Sequence, residues 1–311
     1  RDMDEVTLRE RLDEAHDILR EQRGERPRPA LDDKVLTDWN GLMVAALARA
    51  ARTFDAPEYE AAATEAATFL LDTLRDEEGR LLHRYRDGDA AIRAHLDDYA
   101  FLIWGLTELY ETTFDAQWLA AAVDMLDASL DHFWDAERGG FFLTADDGEE
   151  LIVRPKEGSD GAFPSGNSVQ LMNLLRLARM TGRTEWEEYA DALAQWAGTQ
   201  ARSRPTGMTA LLSGLSFAHA DSAEVVIAGV LEAEDTQALV EAVRSVYTPF
   251  AVVLQRPPGE TPPIAELAPF TEAQTPVDGT AAAYVCHDFR CEAPTTDPEA
   301  LRTQLAGDST A

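Results

Sequence analysis

Three short segments concentrate the side chains that could do chemistry. "LDDKVLTDWNG" (31–41) carries Asp33, Lys34, Trp39 and Asn40; "HLDDYAF" (95–101) carries His95, Asp97, Asp98 and Tyr99; "RPKEGSDGAFPSGNS" (154–168) carries Lys156, Asp160, Ser165 and Asn167. Paired carboxylates supply a general acid, a base or water activation, and a histidine can move a proton on and off carbon. Aromatic faces stack on pyranose rings, while amides and hydroxyls pair with sugar hydroxyls. The set therefore suits a carbohydrate. Asp97, Asp98, Asp160 and His95 are the candidate catalytic residues. Asp33, Lys34, Trp39, Asn40, Tyr99, Lys156, Ser165 and Asn167 are the candidate substrate-binding residues.

Each also has a plainer use. Asp97, Asp98 and Ser165 could simply cap helices, Trp39 and Tyr99 could be core aromatics, and His95 could be a hydrogen-bonded structural histidine. The lysines weigh the other way: Lys34 and Lys156 are the only two in the chain, and both lie in these segments.

Other chemistries leave no signature. There is no His-x-Glu-x-His pair, and Cys286-His287 with Cys291 is too small a set for a closed zinc site. No P-loop or Gly-x-Gly-x-x-Gly occurs, and "FPSGN" is not a nucleophile elbow. No metal and no cofactor is expected. Two cysteines make no disulfide framework; Cys286 and Cys291 read as buried strand cysteines, with a redox pair as the alternative.

The 57 acidic residues outnumber 27 basic ones, leaving a net charge of −30, and they are spread over every segment. Such a field repels nucleic acid and anionic membrane. Acid enrichment with lysine depletion resembles proteins of salt-accumulating halophiles, whose self-repulsion is screened where the Debye length falls to about 3 Å. No run approaches the ~18 apolar residues of a membrane span, and no leader pattern follows Arg1. A soluble, cytoplasmic protein is the expectation.

The elements that must position these groups are helices. Apolar residues recur at helical spacing from Trp39 to Ala50, from Tyr99 to Tyr110 and from Leu171 to Ala178. Partner helices run over Pro57–Leu74, Gln117–Trp134 and Glu185–Ala197, and helices near 4–22 and 207–219 bring the number to about eight. Starts at Trp39, Asp98 and Gly166 recur roughly every 60 to 70 residues, as in a repeated helix hairpin. First members of successive antiparallel pairs point the same way, so the three polar segments should share one end of the bundle. Two β-hairpins are expected, a short one around "GRLLHRY" and a stronger one in "GGFFLTADDGEELIVRPK" with an Asp147-Gly148 turn. After residue 220 the grammar changes: "AEVVIAG", "FAVVLQR" and "AAAYVCH" read as strands. A helix over 236–246 joins the first two, a strand–helix–strand unit expected to pair in parallel, and a last helix covers Pro298–Leu305.

"RPALDDKVLTDWNGLMVAALARAA", "LDDYAFLIWGLTELYE", "KEGSDGAFPSGNSVQLMNLLRLARMTG" and "AYVCHDFRCEAPTTDPEAL" together resemble the C-terminal part of the thioredoxin-domain-containing YyaL and spermatogenesis-associated protein 20 family (DUF255). The resemblance implies a mainly α fold, a partial (α/α)6 toroid of the six-hairpin glycosidase-like type over 1–220 with a small α/β unit over 221–311. That toroid is similar to those of N-acylglucosamine 2-epimerases and several glycosidases. An upstream thioredoxin-like domain and the first toroid hairpins are expected to be missing from this chain. The implied activity is a sugar epimerase or isomerase, using His95 and secondarily His83, or a glycoside hydrolase pairing Asp97 or Asp98 with Asp160. The alternative is a non-catalytic structural or partner-binding module.

Overall fold

The computed structural model describes residues 3–149 and 151–308 and divides into two units, Arg1–Lys34 and Val35–Ala311. In the first, helix α1 (Glu5–Gly24) is capped by Asp4, whose side chain accepts the Thr7 N–H at 3.0 Å, and buries no residue. Lys34 pairs with Asp32 at 2.9 Å there.

The second unit is built on helix hairpins. Its helices are α2 (Thr37–Phe54), α3 (Pro57–Thr73), α4 (Leu96–Thr113), α5 (Ala116–Phe133), α6 (Gly166–Thr181), α7 (Glu185–Ser203) and α8 (Thr209–His219). Helices α4 and α6 are buried on nearly every face, whereas α3, α5 and α7 bury one stripe each. A helix apolar all round must have neighbours all round. Accordingly α2, α4, α6 and α8 pack consecutively as an inner row, with α3 against α2 and α4, α5 against α4, and α7 against α6 outside it. The result is a partial α/α toroid. Its tightest contact is between α2 and α4: a Cβ placed on Gly41 would lie 2.6 Å from the Leu102 nitrogen, and one on Gly105 2.7 Å from the Gly41 oxygen. The two backbones touch.

Strands β1 (Val35–Leu36), β2 (Leu82–Arg86) and β3 (Asp89–Arg93) form an antiparallel sheet in that order. The β2–β3 turn is Asp87-Gly88, both with positive φ (52° and 82°), the left-handed pair that tight hairpins favour. The Thr37 hydroxyl donates to the Leu82 carbonyl at 2.6 Å and pins this hairpin to the start of α2.

The stronger expected hairpin does not form. Among the described residues, 139–156 contributes only an isolated bridge between Trp134 and Phe141. Gly139 and Gly140 both take positive φ, which breaks a strand, and the arms are clasped by Arg154 donating to the Thr144 and His132 carbonyls. Before α7, in a Thr-x-x-Glu pattern that would suit a capping box, Thr184 has helical φ and ψ and makes no side-chain cap.

The remaining elements are β4 (Ala223–Ala228), α9 (Glu234–Arg244), β5 (Ala251–Arg256), α10 (Pro263–Leu267), β6 (Ala282–His287), β7 (Arg290–Cys291) and α11 (Pro298–Asp308). The sheet order is β5-β4-β6-β7, with β4 and β5 parallel across α9 and β6 antiparallel to β4. The β6–β7 register sets Cys286 opposite Cys291, and the two are disulfide-bonded rather than free strand thiols. The change of grammar near residue 220 falls between α8 and β4, inside one continuous unit: Arg244 donates to the Thr112 carbonyl at 2.8 Å, and Val253 N–H to Glu111 at 3.3 Å. Among the described residues no helix is long and apolar enough to cross a membrane.

Candidate active site at the helix starts

Two consecutive acids open α4, and each reaches a different neighbouring helix. Asp98 accepts the His95 N–H at 2.8 Å through one oxygen, closing the first turn, and the Asp38 N–H of α2 at 3.0 Å through the other. Asp97 accepts the Gly166 N–H, the first residue of α6, at 2.9 Å. A Cβ on Gly166 would sit 2.4 Å from that Asp97 oxygen, so the bond requires glycine there. The starts of α2, α4 and α6 are thereby tied together, at one end of the inner row.

Asp98 is also the partner of His83, from β2. Its two oxygens lie 2.9 and 3.0 Å from His83 Nδ1. A carboxylate can only accept, so Nδ1 carries the proton and Nε2 is left as the acceptor. Hydrogen bonding to Asp98 raises the His83 pKa against the opposing effect of burial. The His95 ring stands edge-on to that of His83, with centroids 5.4 Å apart, and its Nδ1 is 3.8 Å from Asp98. His95 also borders a cleft of about 550 Å³ lined by Arg93, Thr144 and Asp147.

Burial pushes the Asp97 carboxyl up to about 6; the Gly166 N–H works against that, and the nearby charges of Glu157, Asp98 and Asp38 work with it. Asp38 is likewise raised, by burial and by Asp98. The helix starts thus gather a proton donor able to titrate near neutrality and a carboxylate-held imidazole, which is the equipment of proton transfer.

His83, His95 and Asp98 offer ligand atoms within 4.8 Å of one another, a spacing a metal ion could bridge. The Asp98 oxygens are already engaged by two backbone N–H groups and Nδ1. In the second such group, of His132, Asp146 and Asp147, Asp147 is paired with Arg93 at 2.9 Å and with Arg80.

The other sequence candidates fall in different settings. Asp160 gives its two oxygens to the Ser165 and Ala210 N–H groups at 3.1 and 2.8 Å. Tyr99 is in the core beside Phe133, its hydroxyl accepting the Leu81 N–H at 3.1 Å, and offers no face to a ligand. Asn167 is buried and clasps Phe141 N–H and O and the Glu157 carbonyl. Ser165 caps α6. Lys156 is bonded to Asp135 at 2.6 Å and to the Gly139 carbonyl at 2.8 Å. Asn40 donates to the Leu36 carbonyl at 2.8 Å, while Trp39 is exposed in the first turn of α2. Asp33 and Lys34 belong to the first unit, both exposed. His83 and Asp38 are the functional groups that sequence reasoning underweighted. The alternation in "LLHRY" marks a strand, but nothing in it tells which helix start the strand will meet.

A row of helix hairpins whose inner helices are tied together at their starts by Asp97 and Asp98 defines a partial α/α toroid. No family model matches the chain. It is 34% identical over 313 residues to spermatogenesis-associated protein 20 of Homo sapiens, covering 97% of this chain and 40% of that protein. The Rattus norvegicus protein is 33% identical over 297 residues, covering 92% and 38%. The chain belongs to the spermatogenesis-associated protein 20 family, and it spans about two fifths of the length of these curated relatives. Among solved structures it is similar to cellobiose 2-epimerase from Spirochaeta thermophila (19% identity, TM-score 0.45, 53% of this chain and 43% of that one). It is also similar to a GH76 α-mannanase from Bacteroides thetaiotaomicron (19%, TM-score 0.46, 55% and 47%). Likeness at that level says nothing about activity.

Proposed function

We propose that the helix-start cluster transfers a proton to and from carbon on a small polyhydroxylated carbonyl compound, as in sugar isomerisation or 2-epimerisation. The carrying observation is the pairing of His83 Nδ1 with Asp98, which leaves Nε2 as a base. In this reading the base takes the proton from the carbon beside the carbonyl, giving an enediolate; its return to the same carbon inverts that centre, and its return to the former carbonyl carbon, with the hydroxyl proton passing to the other oxygen, isomerises the sugar. His95, which lines a cleft, and the raised Asp97 are the partners for that return. A hydrolytic pair of Asp97 with Asp160 is less well supported, because both Asp160 oxygens are committed to backbone N–H groups.

One observation favours a second reading. Asp97, Asp98 and Asp160 all bridge separate elements through backbone N–H groups, which is what a non-catalytic clasp needs. The test separates the two. The chain is incubated in D₂O with a panel of aldoses and ketoses, and deuterium at the carbon beside the carbonyl is read by proton NMR. Proton transfer requires wash-in with at least one sugar, reduced about 10²- to 10⁴-fold by His83→Gln. A cooperatively folded chain that exchanges no sugar is a clasp.

A further inference from the structure

On the inner face of the row, away from the carboxylates that tie the helix starts, two arginines and two glutamates form a closed square. Arg176 bonds Glu108 at 2.7 Å and Glu111 at 2.8 Å, and Arg52 bonds Glu108 and lies 3.5 Å from Glu111. All four side chains are largely buried, and their charges cancel. A third arginine does not fit the square. Arg49 Nε is 3.8 Å from Glu108, whose oxygens already serve Arg52, Arg176 and the Trp104 indole N–H.

These groups line a cavity of about 340 Å³, at the small end of the ~300–1,000 Å³ range of small-molecule sites. Its charged lining is three arginines against two glutamates, a surplus of one positive charge, in a chain whose net charge is −30. The wall also includes Trp104, Val169, Met172, Pro249 and Ser213. Arg244, which lines a separate pocket with Arg52, donates to the Thr112 carbonyl. Although burial opposes it, Arg176 and Arg52 hold the Glu108 carboxyl down to about 2, so the surplus persists across the working pH range. Arg49 is exposed, its side chain 60% open, and the carboxylate near it, Glu108, is already committed; such a guanidinium can bind an oxyanion in bidentate fashion.

We infer that this cavity binds a small ligand carrying a carboxylate or phosphate, held by Arg49 at the edge of the arginine–glutamate square with its carbon skeleton against Trp104. The inference stands on this cavity alone and does not depend on the proton-transfer reading.

The test is calorimetric titration of the full chain with D-glucuronate, D-glucose 6-phosphate, inorganic phosphate and neutral D-glucose. It is run at the lowest KCl concentration that keeps a cooperative melt. Arg49→Gln removes the clamp and leaves the bonds of Arg52 and Arg176 to Glu108 and Glu111 in place; Arg9→Gln, on α1, makes the same charge change elsewhere. The expected result is binding of at least one anionic probe, absent for glucose, weakened about 10- to 100-fold by Arg49→Gln and unaltered by Arg9→Gln. Tighter binding of glucuronate marks the carboxylate as the recognised group, and tighter binding of glucose 6-phosphate or phosphate marks the phosphate. Ser213→Asp adds a negative charge to the same wall and must also weaken binding, which keeps the test intact should Arg49→Gln fail to fold. No anion binding, or equal effects of the Arg49 and Arg9 variants, overturns the inference.

Discussion

His83 and Asp98 meet through one ring nitrogen and both carboxylate oxygens, at 2.9 and 3.0 Å, across an antiparallel hairpin and a helix start. The same carboxylate holds the backbone N–H groups of Asp38 and His95. The imidazole therefore hangs on a group that the fold itself keeps in place.

Asp98→Asn tests that relationship. The amide keeps the shape but removes the Asp98 charge that favours imidazolium, leaving Asp38 against burial and Arg84. His83 titrates above its ordinary value in the wild type and should fall below that of the wild type in the variant, read by NMR of the ring protons. Any proton-transfer activity should fall about 10²-fold or more with it. An unmoved His83 titration would rule out the pairing.

Asp97 makes the protein's stability depend on pH in an unusual direction. Its carboxyl is raised from 3.8 to about 6, so between those values the folded chain binds more protons than the unfolded one. Stability from this group is greatest below pH ~4 and is lost as pH rises towards ~6, by about 3 kcal/mol in all. His83, also raised, contributes stability below pH ~6.5 that is lost as pH passes its folded value. Asp97→Asn keeps an acceptor for the Gly166 N–H but cannot ionise. Its stability relative to wild type, from denaturant melts at several pH values, should increase from pH 4 to 6 and then level off. A flat difference would mean that Asp97 is hydrated.

The helix pairs were legible because their apolar residues recur at helical spacing, and the shared mouth followed from the alternating direction of antiparallel helices. The Asp38–Asp98 and Asp97–Gly166 bonds are that mouth at atomic scale. What could not be read was register. "LLHRY" names a strand without saying that β2 seats His83 over α4. "GGFFLT" looks like half a hairpin until Gly139 and Gly140 turn the chain. Cys286 and Cys291 are only five residues apart, yet their bond needs the β6–β7 pairing to set them opposite. The inner-face charges were hidden for a related reason. Arg49 with Arg52, and Glu108 with Glu111, sit three apart like solvated helix pairs, and only the inner row turns them towards one another.

Gly41 and Gly105 bring α2 against α4, and through the Asp38 to Asp98 bond that approach also sets the site. A methyl on Gly41 meets the Phe101 and Leu102 backbone at 2.6 Å, which no side-chain rotation relieves. Gly41→Ala should destabilise the chain by about 1–3 kcal/mol and shift the His83 titration as α2 withdraws from Asp98. A control in open space, Gly198→Ala, has no atom within 4 Å of the new methyl and should do neither. If the Gly41 variant melts with the wild type, the helices are not in backbone contact.

The arginine–glutamate square makes the sharpest stability prediction, because its members cannot be removed singly at low cost. Glu108 is 3% exposed and accepts from Arg52, Arg176 and Trp104. Glu108→Ala leaves three guanidinium groups facing Glu111 alone, and breaking a buried pair in this way costs about 3–5 kcal/mol. Replacing Glu108 by Leu and Arg176 by Met together removes one charge of each sign and fills the space with apolar atoms. Charge is then conserved, with Arg52 still 3.5 Å from Glu111, so the double variant should recover most of the loss. Denaturant melts of the single and double variants decide it. A Glu108→Ala cost near ~0.5 kcal/mol, the level of an exposed pair, would mean that water reaches the square and that its charges are not confined.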